Sequence, residues 1–281
     1  MELWYSENHT KNVRLSVKIN RHIHSGKSDF QRIDILESLE FGRVLTLDGL
    51  IMLTERDEFV YHEMMAHVPL AVNPKIETVL VIGGGDGGAV RELAKYPGIA
   101  RIDLVEIDKM VVEVCKEFLP ALSCAFSDSR IEVHYQDGLK FIRHHQNEYD
   151  LIIVDSTDPF GPGEGLFTKE FYGNCYNALK ERGIMICQME SPFYKSYSAE
   201  MARVQKKVSS IFPVARAYQA HIPTYPCGHW LFGFASKGLC PLEDLDESWK
   251  GLSIAAKYYN LPLHRGAFAL PTYILEALKN A

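Results

Sequence analysis

Four acidic residues follow short apolar segments at positions where they could act on one ligand. They are Asp86, Glu106, Asp137 and Asp155. Carboxylates that are brought together repel one another, and this repulsion raises each pKa unless cations compensate the charge. The pattern therefore predicts a site for positively charged ligands. One or two of these residues could instead cap helices, and Asp108 is expected to be such an N-cap.

A glycine-rich turn carries the first of these residues. The apolar run of residues 79–82 predicts a strand buried on both faces, and residues 83–88 predict a tight turn that opens a helix. The glycines also fit the Gly-x-Gly-x-x-Gly fingerprint of dinucleotide sites, with Glu106 20 residues beyond Asp86. Asp86 argues against a pyrophosphate, which its carboxylate would repel, and favours a cationic nucleoside such as an adenosyl sulfonium, with Glu106 on the ribose. A purely structural turn is the alternative.

Alternating strands and helices would hold these residues at one edge of a sheet. Strands are predicted at residues 79–82, 102–106, 131–135 and 151–155, and helices at about 88–96, 109–118 and 138–145. Further along, helices are predicted at 171–179 and 199–208, and strands at 184–188, 214–220 and 230–234. This pattern is typical of an α/β fold with a doubly wound, mostly parallel sheet, which binds ligands beyond the carboxyl ends of its strands.

The first part of the chain has a different pattern. Apolar and polar side chains alternate in short runs over residues 13–53, and Asp48-Gly49 predicts a hairpin turn. We expect a small N-terminal antiparallel β domain over residues 1–53 and a nucleoside-binding catalytic domain over residues 54–281. Apolar side chains exposed on the small domain favour a dimer.

A helix is expected where the two parts meet. Thr54 and Asp57 resemble a capping box at its start, and the helix is expected to end before Pro69. His62 and His67 lie on this helix five residues apart, whereas the zinc motif His-Glu-x-x-His needs a spacing of four. We therefore expect no metal site and a structural role for His67, while His62 could face a pocket.

The net charge, the length of the apolar runs and the cysteine spacing argue against several classes of protein. The formal net charge of −6, with no stripe of Lys and Arg, argues against nucleic acid as a partner. No apolar run approaches the ~18 residues of a membrane span, and the N-terminus lacks the pattern of a secretion signal. The six cysteines form no Cys-x-x-Cys pair, which is typical of reduced thiols in a cytoplasmic protein.

A loop rich in proline and glycine, residues 155–165, follows the last of the four predicted strands. Loops at this edge of a sheet face the ligand, and such a composition allows a loop to become ordered on binding. We expect a cover over the active site, with a plain surface crossover as the alternative. The turn at residues 222–228 is expected to point back to the same edge.

A set of motifs runs in order through nearly the whole chain. They are Leu47-Asp48-Gly49, residues 57–64, the glycine-rich turn at 83–88, Val105-Glu106-Ile107-Asp108, Asp155-Ser156-Thr157-Asp158-Pro159 with Gly161-Pro162, and Ile222-Pro223-Thr224-Tyr225-Pro226. With this set the sequence resembles the spermidine synthases, a family of polyamine aminopropyltransferases. The resemblance implies a Rossmann-like sheet of the class I methyltransferase type and a homodimer or homotetramer.

The resemblance also implies an activity and a set of site residues. The aminopropyl group of decarboxylated S-adenosylmethionine would be transferred to putrescine, giving spermidine and methylthioadenosine without a cofactor or metal. The donor would contact Gln31, Asp86, Glu106, Asp137, Gly138 and Pro162, and the amine would contact Trp4, Tyr61, His62, Asp155, Asp158, Gln188 and Tyr225. Asp155 would accept the proton, Asp158 would anchor the diamine, and Trp4 would lie near the distal amine.

Elementary chemistry agrees with this assignment. An alkylammonium, with a pKa of about 10.4, must lose a proton before it can attack carbon, and Asp155 could take that proton while positioning the amine. A sulfonium carries its own neutral leaving group, so a direct displacement is expected.

Three alternatives remain open. One is an aminopropyltransferase for cadaverine, agmatine or spermidine. Another is an S-adenosylmethionine-dependent methyltransferase, although those usually have an acidic residue just before the glycine turn, where this chain is apolar. The third is a polyamine-binding protein without activity, which the presence of Tyr61, Asp155 and Asp158 disfavours.

Overall fold

The computed structural model describes residues 2–156 and 161–279. Its N-terminal region contains a hairpin of β1 (Leu3–Thr10) and β2 (Val13–Ile19), followed by a four-stranded antiparallel sheet of β3 (Arg21–Lys27), β4 (Arg32–Ser38), β5 (Gly42–Leu47) and β6 (Leu50–Thr54). The antiparallel prediction is confirmed, and Asp48 and Gly49 form the β5–β6 turn with φ angles of 49° and 85°. Strand β1 lies within the β domain predicted over residues 1–53 but precedes the alternating pattern, which begins at residue 13.

The remainder of the chain is built on a seven-stranded sheet. Its strands are β7 (Thr78–Gly83), β8 (Arg101–Glu106), β9 (Ile131–Tyr135), β10 (Tyr149–Asp155), β11 (Leu179–Glu190), β12 (Val214–His221) and β13 (His229–Ser236). They lie in the order β12-β13-β11-β10-β7-β8-β9, and β13 runs in the opposite direction to the other six strands. This is the doubly wound, mostly parallel arrangement that the sequence predicts.

Helices cover both faces of this sheet. They are α1 (Glu58–Val72), α2 (Gly88–Ala94), α3 (Lys109–Phe118), α4 (Gly138–Ile142), α5 (Lys169–Ala178), α6 (Lys195–Ser209), α7 (Leu261–Ala267) and α8 (Thr272–Lys279). Short 3₁₀ turns occur at Ser123–Ser127, Gly161–Phe167, Pro226–Gly228 and Glu247–Leu252. Helix α3 and strand β9 have the predicted bounds, whereas β11 begins five residues earlier than predicted, directly after α5. Near the C-terminus, α7 lies beside β12 and α8 beside α6.

The continuous apolar runs of the strands serve two cores. In β7, Val79 and Val81 face the core that contains α1 and α2, whereas Leu80 and Ile82 face the core that contains α5 and α6. A strand buried on both faces needs apolar side chains at every position, which explains why these runs do not alternate. The two cores together fix the sheet edge at which the acidic residues lie.

Helix α1 continues past Pro69, so the prediction that it ends before this residue is wrong. Proline removes one helical hydrogen bond, and in an exposed helix this usually costs ~3 kcal/mol. Here the helix is buried along nearly all of its length, and the N–H of Asn73 donates to the Pro69 carbonyl at 2.9 Å. Tertiary packing therefore outweighs the local effect of the proline.

The predicted capping box at the start of α1 is also wrong. Asp57 is the N-cap residue, but its side chain makes no capping hydrogen bond. Its Oδ1 accepts a hydrogen bond from the Thr54 hydroxyl at 2.6 Å, and its Oδ2 accepts from the Thr224 hydroxyl at 2.7 Å and the Thr224 N–H at 3.1 Å. The carboxylate thus joins the start of α1 to the turn at residues 222–228. The spacing of residues in the sequence does not predict a contact between parts of the chain so far apart.

All six cysteines are free thiols. Cys115, Cys175 and Cys187 are buried, where a thiol packs as a small apolar group. Within residues 2–156 and 161–279, none of the helices combines the length and apolar content that crossing a membrane requires.

Candidate active site

Two adjoining cavities lie where the N-terminal region meets the carboxyl edge of the central sheet. The first cavity is lined by nine of the predicted site residues: Gln31, Tyr61, His62, Asp86, Glu106, Asp137, Gly138, Asp155 and Tyr225. The second cavity is lined by Gln188 and again by Tyr61 and Tyr225. Met52, Tyr61, Ser156 and Tyr225 line both, so the two cavities meet at these residues. The structure therefore brings the four acidic residues of the sheet edge around one space.

Strands β7 and β10 approach each other very closely at this edge. Asp155 is paired with Gly83, and the N–H of Gly84 donates to the Asp155 carbonyl at 2.9 Å. Gly83 has a φ angle of +81°, and a Cβ atom at this position would overlap the Asp155 carbonyl oxygen. Glycine alone meets both requirements without strain. This close approach places the Asp155 side chain beside the glycine-rich turn.

Glu106 is fixed at the end of β8 by backbone groups on two sides. Its Oε1 accepts a hydrogen bond from the N–H of Asp108 at 2.8 Å, and its Oε2 accepts one from the N–H of Gly85 at 3.2 Å. Burial raises the pKa of Glu106 to about 7 although these N–H groups oppose the change. Each oxygen keeps a lone pair for a further donor, as a ribose hydroxyl would provide.

Two other acidic residues at this edge cap helices. Asp108 accepts the N–H of Met110 at 3.1 Å, which confirms the expected N-cap of α3. Asp137 accepts the N–H of Leu139 at 2.8 Å and so caps α4 while also lining the first cavity. The second oxygen of Asp108 accepts from the Gln31 amide at 3.0 Å, which ties the N-terminal region to α3 beside the cavity.

His62 lies between two carboxylates. Its Nδ1 is 2.7 Å from Glu58 Oε2, and its Nε2 is 3.3 Å from Asp86 Oδ1. Burial opposes the charged form of His62, but Asp86 and Glu58 outweigh it and raise the pKa of His62 to about 10. Burial would likewise raise the pKa of Asp86, but the charge of His62 holds that pKa below its ordinary value. The chain therefore supplies part of the positive charge that was expected from bound ligands.

Asp155 has one oxygen that is buried without a hydrogen-bond partner among the described residues. Its Oδ1 accepts a hydrogen bond from the Tyr61 hydroxyl at 2.9 Å, whereas its Oδ2 is buried and accepts no hydrogen bond from the described part of the chain. Burial and the nearby charge of Asp86 raise the pKa of Asp155 to about 6, although His62 and Tyr61 oppose this. A carboxylate of this kind is suited to accept a proton near neutral pH.

His62, Asp86 and Asp155 are also close enough to one another to be considered as metal ligands, since one donor atom from each lies within 4.8 Å of the others. The donor set does not fit a metal. Both nitrogens of His62 face carboxylates, and an imidazole that is protonated at both nitrogens has no lone pair to offer. His67, in contrast, lies in the core, where its Nδ1 is 2.8 Å from the Tyr96 hydroxyl.

The second cavity contains residues that the sequence analysis did not identify. Glu7, Tyr197 and Trp230 line it beside the predicted Gln188. Glu7 is buried, and its carboxylate accepts the N–H of Ile51 at 2.7 Å. Recognising β1 as a strand would have provided a signal for Glu7, because residues 5, 7 and 9 face the body of the protein and alternate with exposed residues.

Three predicted residues are not brought into the cavities by the described structure. Trp4 is 56% exposed and lines neither cavity, because it lies on the opposite face of β1 from Glu7. Asp158 lies outside the described residues. Pro162 lies in the 3₁₀ turn Gly161–Phe167, whose Gly163 and Leu166 line the first cavity. The predicted cover loop is thus only partly described.

The fold defines the class of this protein as an α/β protein with a methyltransferase-like sheet, and comparisons with known proteins define its family. The family model for the spermine/spermidine synthase domain matches residues 58–246, and the model for the spermidine synthase tetramerisation domain matches residues 3–55. The chain belongs to the spermine/spermidine synthase family. It is an enzyme of the polyamine aminopropyltransferase type.

Individual relatives are similar over their full length. The polyamine aminopropyltransferases of Alkaliphilus oremlandii and of Clostridium perfringens strain SM101 are 61% and 60% identical, covering 99% and 100% of this chain and 99% of each relative. A spermidine synthase crystallised with the transition-state analogue AdoDATO has a TM-score of 0.96 at 45% identity, covering 99% of this chain and 96% of that one. The spermidine synthase of Thermotoga maritima has a TM-score of 0.95 at 44% identity, covering 99% and 95%.

Replacing Gly88 with alanine is expected to displace His62. A Cβ atom at Gly88 would overlap the His62 ring. Alanine favours helices by ~1 kcal/mol over glycine, but overpacking a buried contact costs ~1–3 kcal/mol, so we expect a net loss of stability together with weaker donor binding. Urea unfolding and calorimetric titration of the donor measure the two effects.

Gly98→Ala is the matched control for this prediction. A Cβ atom at Gly98 would meet nothing within 4 Å, so this variant should unfold within ~0.5 kcal/mol of the parent. A Gly88→Ala protein as stable as the parent, with unchanged donor affinity, would show that the His62 ring is free to move away.

Proposed function

We propose that this chain is a spermidine synthase, which transfers the aminopropyl group of decarboxylated S-adenosylmethionine to putrescine and releases methylthioadenosine. One observation carries the proposal: the Oδ2 of Asp155, which has no hydrogen-bond partner in the described part of the chain, is buried close to where the two cavities meet. A donor in the first cavity and an amine in the second would both reach this point. A spermidine synthase that is 45% identical to this chain was crystallised with the transition-state analogue AdoDATO, which supports the proposed activity.

The first cavity suits the nucleoside donor. In our proposal the ribose hydroxyls bind the Glu106 carboxylate, and Gln31, Asp137, Gly138 and Pro162 surround the rest of the nucleoside. The sulfonium and the ammonium of the aminopropyl group are both cations, and Asp86 lies in the turn beneath them. A donor that kept its carboxylate would be repelled here, which favours the decarboxylated form.

The second cavity suits the amine. Its wall contains the rings of Tyr61 and Tyr225, whose centroids are 5.9 Å apart, and the Tyr225 hydroxyl donates to the Met52 carbonyl at 2.6 Å. Aromatic faces and carboxylates together favour an alkylammonium over an anion. We propose that Gln188 lies along this channel, that Asp158 anchors the diamine, and that Glu7 contributes negative charge to its wall.

Asp155 performs the proton transfer in this proposal. The attacking amine gives a proton to Asp155 Oδ2, and its lone pair forms a bond to the carbon next to the sulfur. The carbon–sulfur bond breaks, and its electron pair goes to sulfur, which leaves as the neutral thioether of methylthioadenosine. Because the leaving group is already neutral, the displacement requires neither a metal nor a cofactor. The Tyr61 hydroxyl keeps the carboxylate oriented throughout.

The proposal is tested by offering the purified protein decarboxylated S-adenosylmethionine with putrescine, cadaverine, agmatine or spermidine, and identifying the products by mass. We expect spermidine and methylthioadenosine with putrescine, the same rate with a chelator, and no transfer from ordinary S-adenosylmethionine. Asp155→Asn should lower kcat by ~10²- to 10⁴-fold, the usual contribution of a positioned base. Glu132→Gln, which removes an exposed carboxylate on β9, should leave kcat unchanged.

Each other outcome of this assay has a defined meaning. Faster turnover of another amine would correct the acceptor while keeping the mechanism. Methyl transfer from ordinary S-adenosylmethionine, or no product with any amine, would contradict the proposed reaction. An Asp155→Asn variant with full activity would remove Asp155 from the role of base.

Asp155→Asn is also expected to be more stable than the parent in the absence of ligands. The pKa of about 6 lies above the ordinary 3.8, so the folded state disfavours the ionised carboxylate. The ionised carboxylate lowers the free energy of unfolding of the parent by at most ~3 kcal/mol. This loss is fully present above pH 6 and disappears as the pH falls toward 3.8. Urea unfolding of both proteins at pH 8 and pH 4.5 checks the sign. A variant less stable than the parent at pH 8 would contradict it.

We further propose that residues 1–53 form an assembly domain and residues 54–281 the catalytic domain of a homodimer or homotetramer. The match to a tetramerisation domain covers residues 3–55, and Leu3, Trp4 and Val13 expose apolar side chains on the hairpin. Sedimentation at micromolar concentration should show an oligomer, and Trp4→Glu should shift it toward the monomer. A parent protein that sediments only as a monomer would contradict this proposal.

The free thiols support a cytoplasmic location, which we also propose. All six cysteines are unpaired, and thiols of this kind are maintained in a reducing compartment. Fractionation of the source cells with an antibody against the protein would test it.

A further inference from the structure

Behind His62, on the side away from the first cavity, lies a second layer of charge. Arg91 of α2 donates two hydrogen bonds to Glu58 of α1, from Nη1 to Oε1 at 2.9 Å and from Nη2 to Oε2 at 2.8 Å. Glu58 Oε2 also lies 2.7 Å from His62 Nδ1. Glu58 is thus held in a fork-to-fork pair while it contacts the imidazole ring. No role for Glu58 or Arg91 follows from the reaction proposed above.

The geometry determines where the protons of His62 are. A carboxylate that faces the arginine fork and the ring is an acceptor only, so Nδ1 must carry a hydrogen to bond Glu58. Asp86 is likewise an acceptor toward Nε2, and its Oδ1 already accepts the N–H of Gly88 at 2.7 Å. Both contacts are favourable only when His62 carries a hydrogen on each nitrogen. The ring is therefore an imidazolium clamped at both ends.

The charged and titratable groups that face this ring come from several elements. Glu58 and Tyr61 lie on α1 itself, Asp86 comes from the glycine-rich turn, and Asp155 from the end of β10. Arg91 of α2 reaches the ring through Glu58. Burial alone would raise the pKa of Glu58, but His62 and Arg91 outweigh it and hold that pKa below its ordinary value. The anionic form of Glu58 is therefore maintained beside the ring.

The environments of the two carboxylates that face the donor are different as a result. Asp86 has an imidazolium on one side and the Gly88 N–H on the other, which keeps it ionised. The carboxylate of Asp155 accepts a single hydrogen bond within the described residues, from the Tyr61 hydroxyl. Two titratable groups with such different environments are typical of a division of roles, one fixed in charge and one exchanging a proton.

We propose that Glu58, oriented by Arg91, is a positioning residue that keeps His62 an imidazolium, so that Asp86 stays ionised and Asp155 alone exchanges a proton. The inference rests on the proposed function for its catalytic consequence, but the state of His62 can be measured without any turnover. Arg91 also pairs with Glu92 at 2.9 Å, and Lys95 pairs with Glu92 at 2.5 Å. The charges of the arrangement therefore balance, with three anions (Glu58, Asp86 and Glu92) against three cations (His62, Arg91 and Lys95).

The first test is the titration of His62, followed by NMR on protein labelled in histidine, with His62→Asn used to assign the signal. In the parent, His62 should remain an imidazolium up to about pH 9, in keeping with its pKa of about 10. Glu58→Gln keeps the shape of the side chain but removes its charge, so the pKa of His62 should fall by ~1–3 units. A parent His62 that is neutral at pH 8, or an unchanged titration in Glu58→Gln, would overturn the inference.

Glu55→Gln is the matched control. Glu55 lies on the same segment and is exposed, and its carboxylate accepts the N–H of Arg43 at 2.8 Å rather than contacting His62. This variant should leave the titration of His62 and the activity unchanged. Urea unfolding of both variants shows whether the Glu58→Gln protein is folded under the conditions of the titration.

The second test is the pH dependence of kcat/KM. In the parent, the acidic limb should lie near pH 6, the pKa of Asp155. If the pKa of His62 falls to about 7 in Glu58→Gln, His62 loses its charge within the pH range of this limb, and the repulsion between Asp86 and Asp155 is no longer offset. The limb should then move up by as much as ~1 unit, which lowers the rate at pH 6.5 about threefold relative to that at pH 9. A rate that falls equally at all pH values would indicate a purely structural role and would overturn the inference.

The third test uses a cavity of about 460 Å³ behind the pair, lined by Glu55, Glu58, Arg91, Lys95 and Lys257 among others. Glu55 and Lys257 are exposed at its rim, so small solutes can reach Arg91 from solvent. Arg91→Ala should lose activity, and guanidinium at ~20 mM should restore part of it, whereas urea, which is neutral and similar in shape, should not. Failure of guanidinium to restore activity, or equal restoration by urea, would contradict the role of Arg91.

The outcomes separate this inference from the proposed function. If no amine is turned over but His62 titrates as expected in the parent and in Glu58→Gln, the charge arrangement stands and the reaction is wrong. If spermidine is formed but His62 is neutral at pH 8, the reaction stands and the inference fails.

Discussion

The close approach of two strand ends is the constraint on which the site depends. Strands β7 and β10 are neighbours in the sheet, and Gly83 lets the backbone of β7 lie against the Asp155 carbonyl. Because β10 ends there, its last side chain lies beside the glycine-rich turn that carries Asp86. A bulkier residue at Gly83 would separate the two carboxylates, and with them the places proposed for the donor and the base. The chemistry is therefore tied to the backbone as much as to any side chain.

The balance of charge around the turn is the second requirement of the site. The structure buries Asp86, Glu106 and Asp155 near one another, an arrangement that is costly without compensation. The protein offsets part of this cost with His62 and leaves Glu106 and Asp155 with raised pKa values. The negative charge that His62 does not offset attracts cationic ligands. The folded protein has this electrostatic preference before any ligand binds.

The sequence predicted the parts of this fold that depend on local pattern. Helix α3 and strand β9 have the predicted bounds. The four acidic residues meet at one edge because the carboxyl ends of parallel strands lie at the same edge of a sheet. It could not predict that α1 passes through Pro69, since burial of the whole helix decides that. Nor could it predict that Arg91 supports Glu58, the partner of His62, because α1 and α2 meet only in the folded chain. The predicted roles of the site residues await the experiments described above.

Part of the wall of the second cavity comes from outside the central sheet. Its lining includes Glu7 from the β1–β2 hairpin and Tyr225 from a turn that Asp57 holds in place, whereas the acidic residues of the first cavity come from the central sheet. The hairpin strands pair with each other in a sheet of their own, separate from the strands that carry Asp86 and Asp155. Substitutions in the hairpin can therefore alter the length or polarity of this wall without disturbing the sheet edge. With the acceptor placed in the second cavity, as proposed, such a division would allow the acceptor to change in evolution while the reacting groups stay the same.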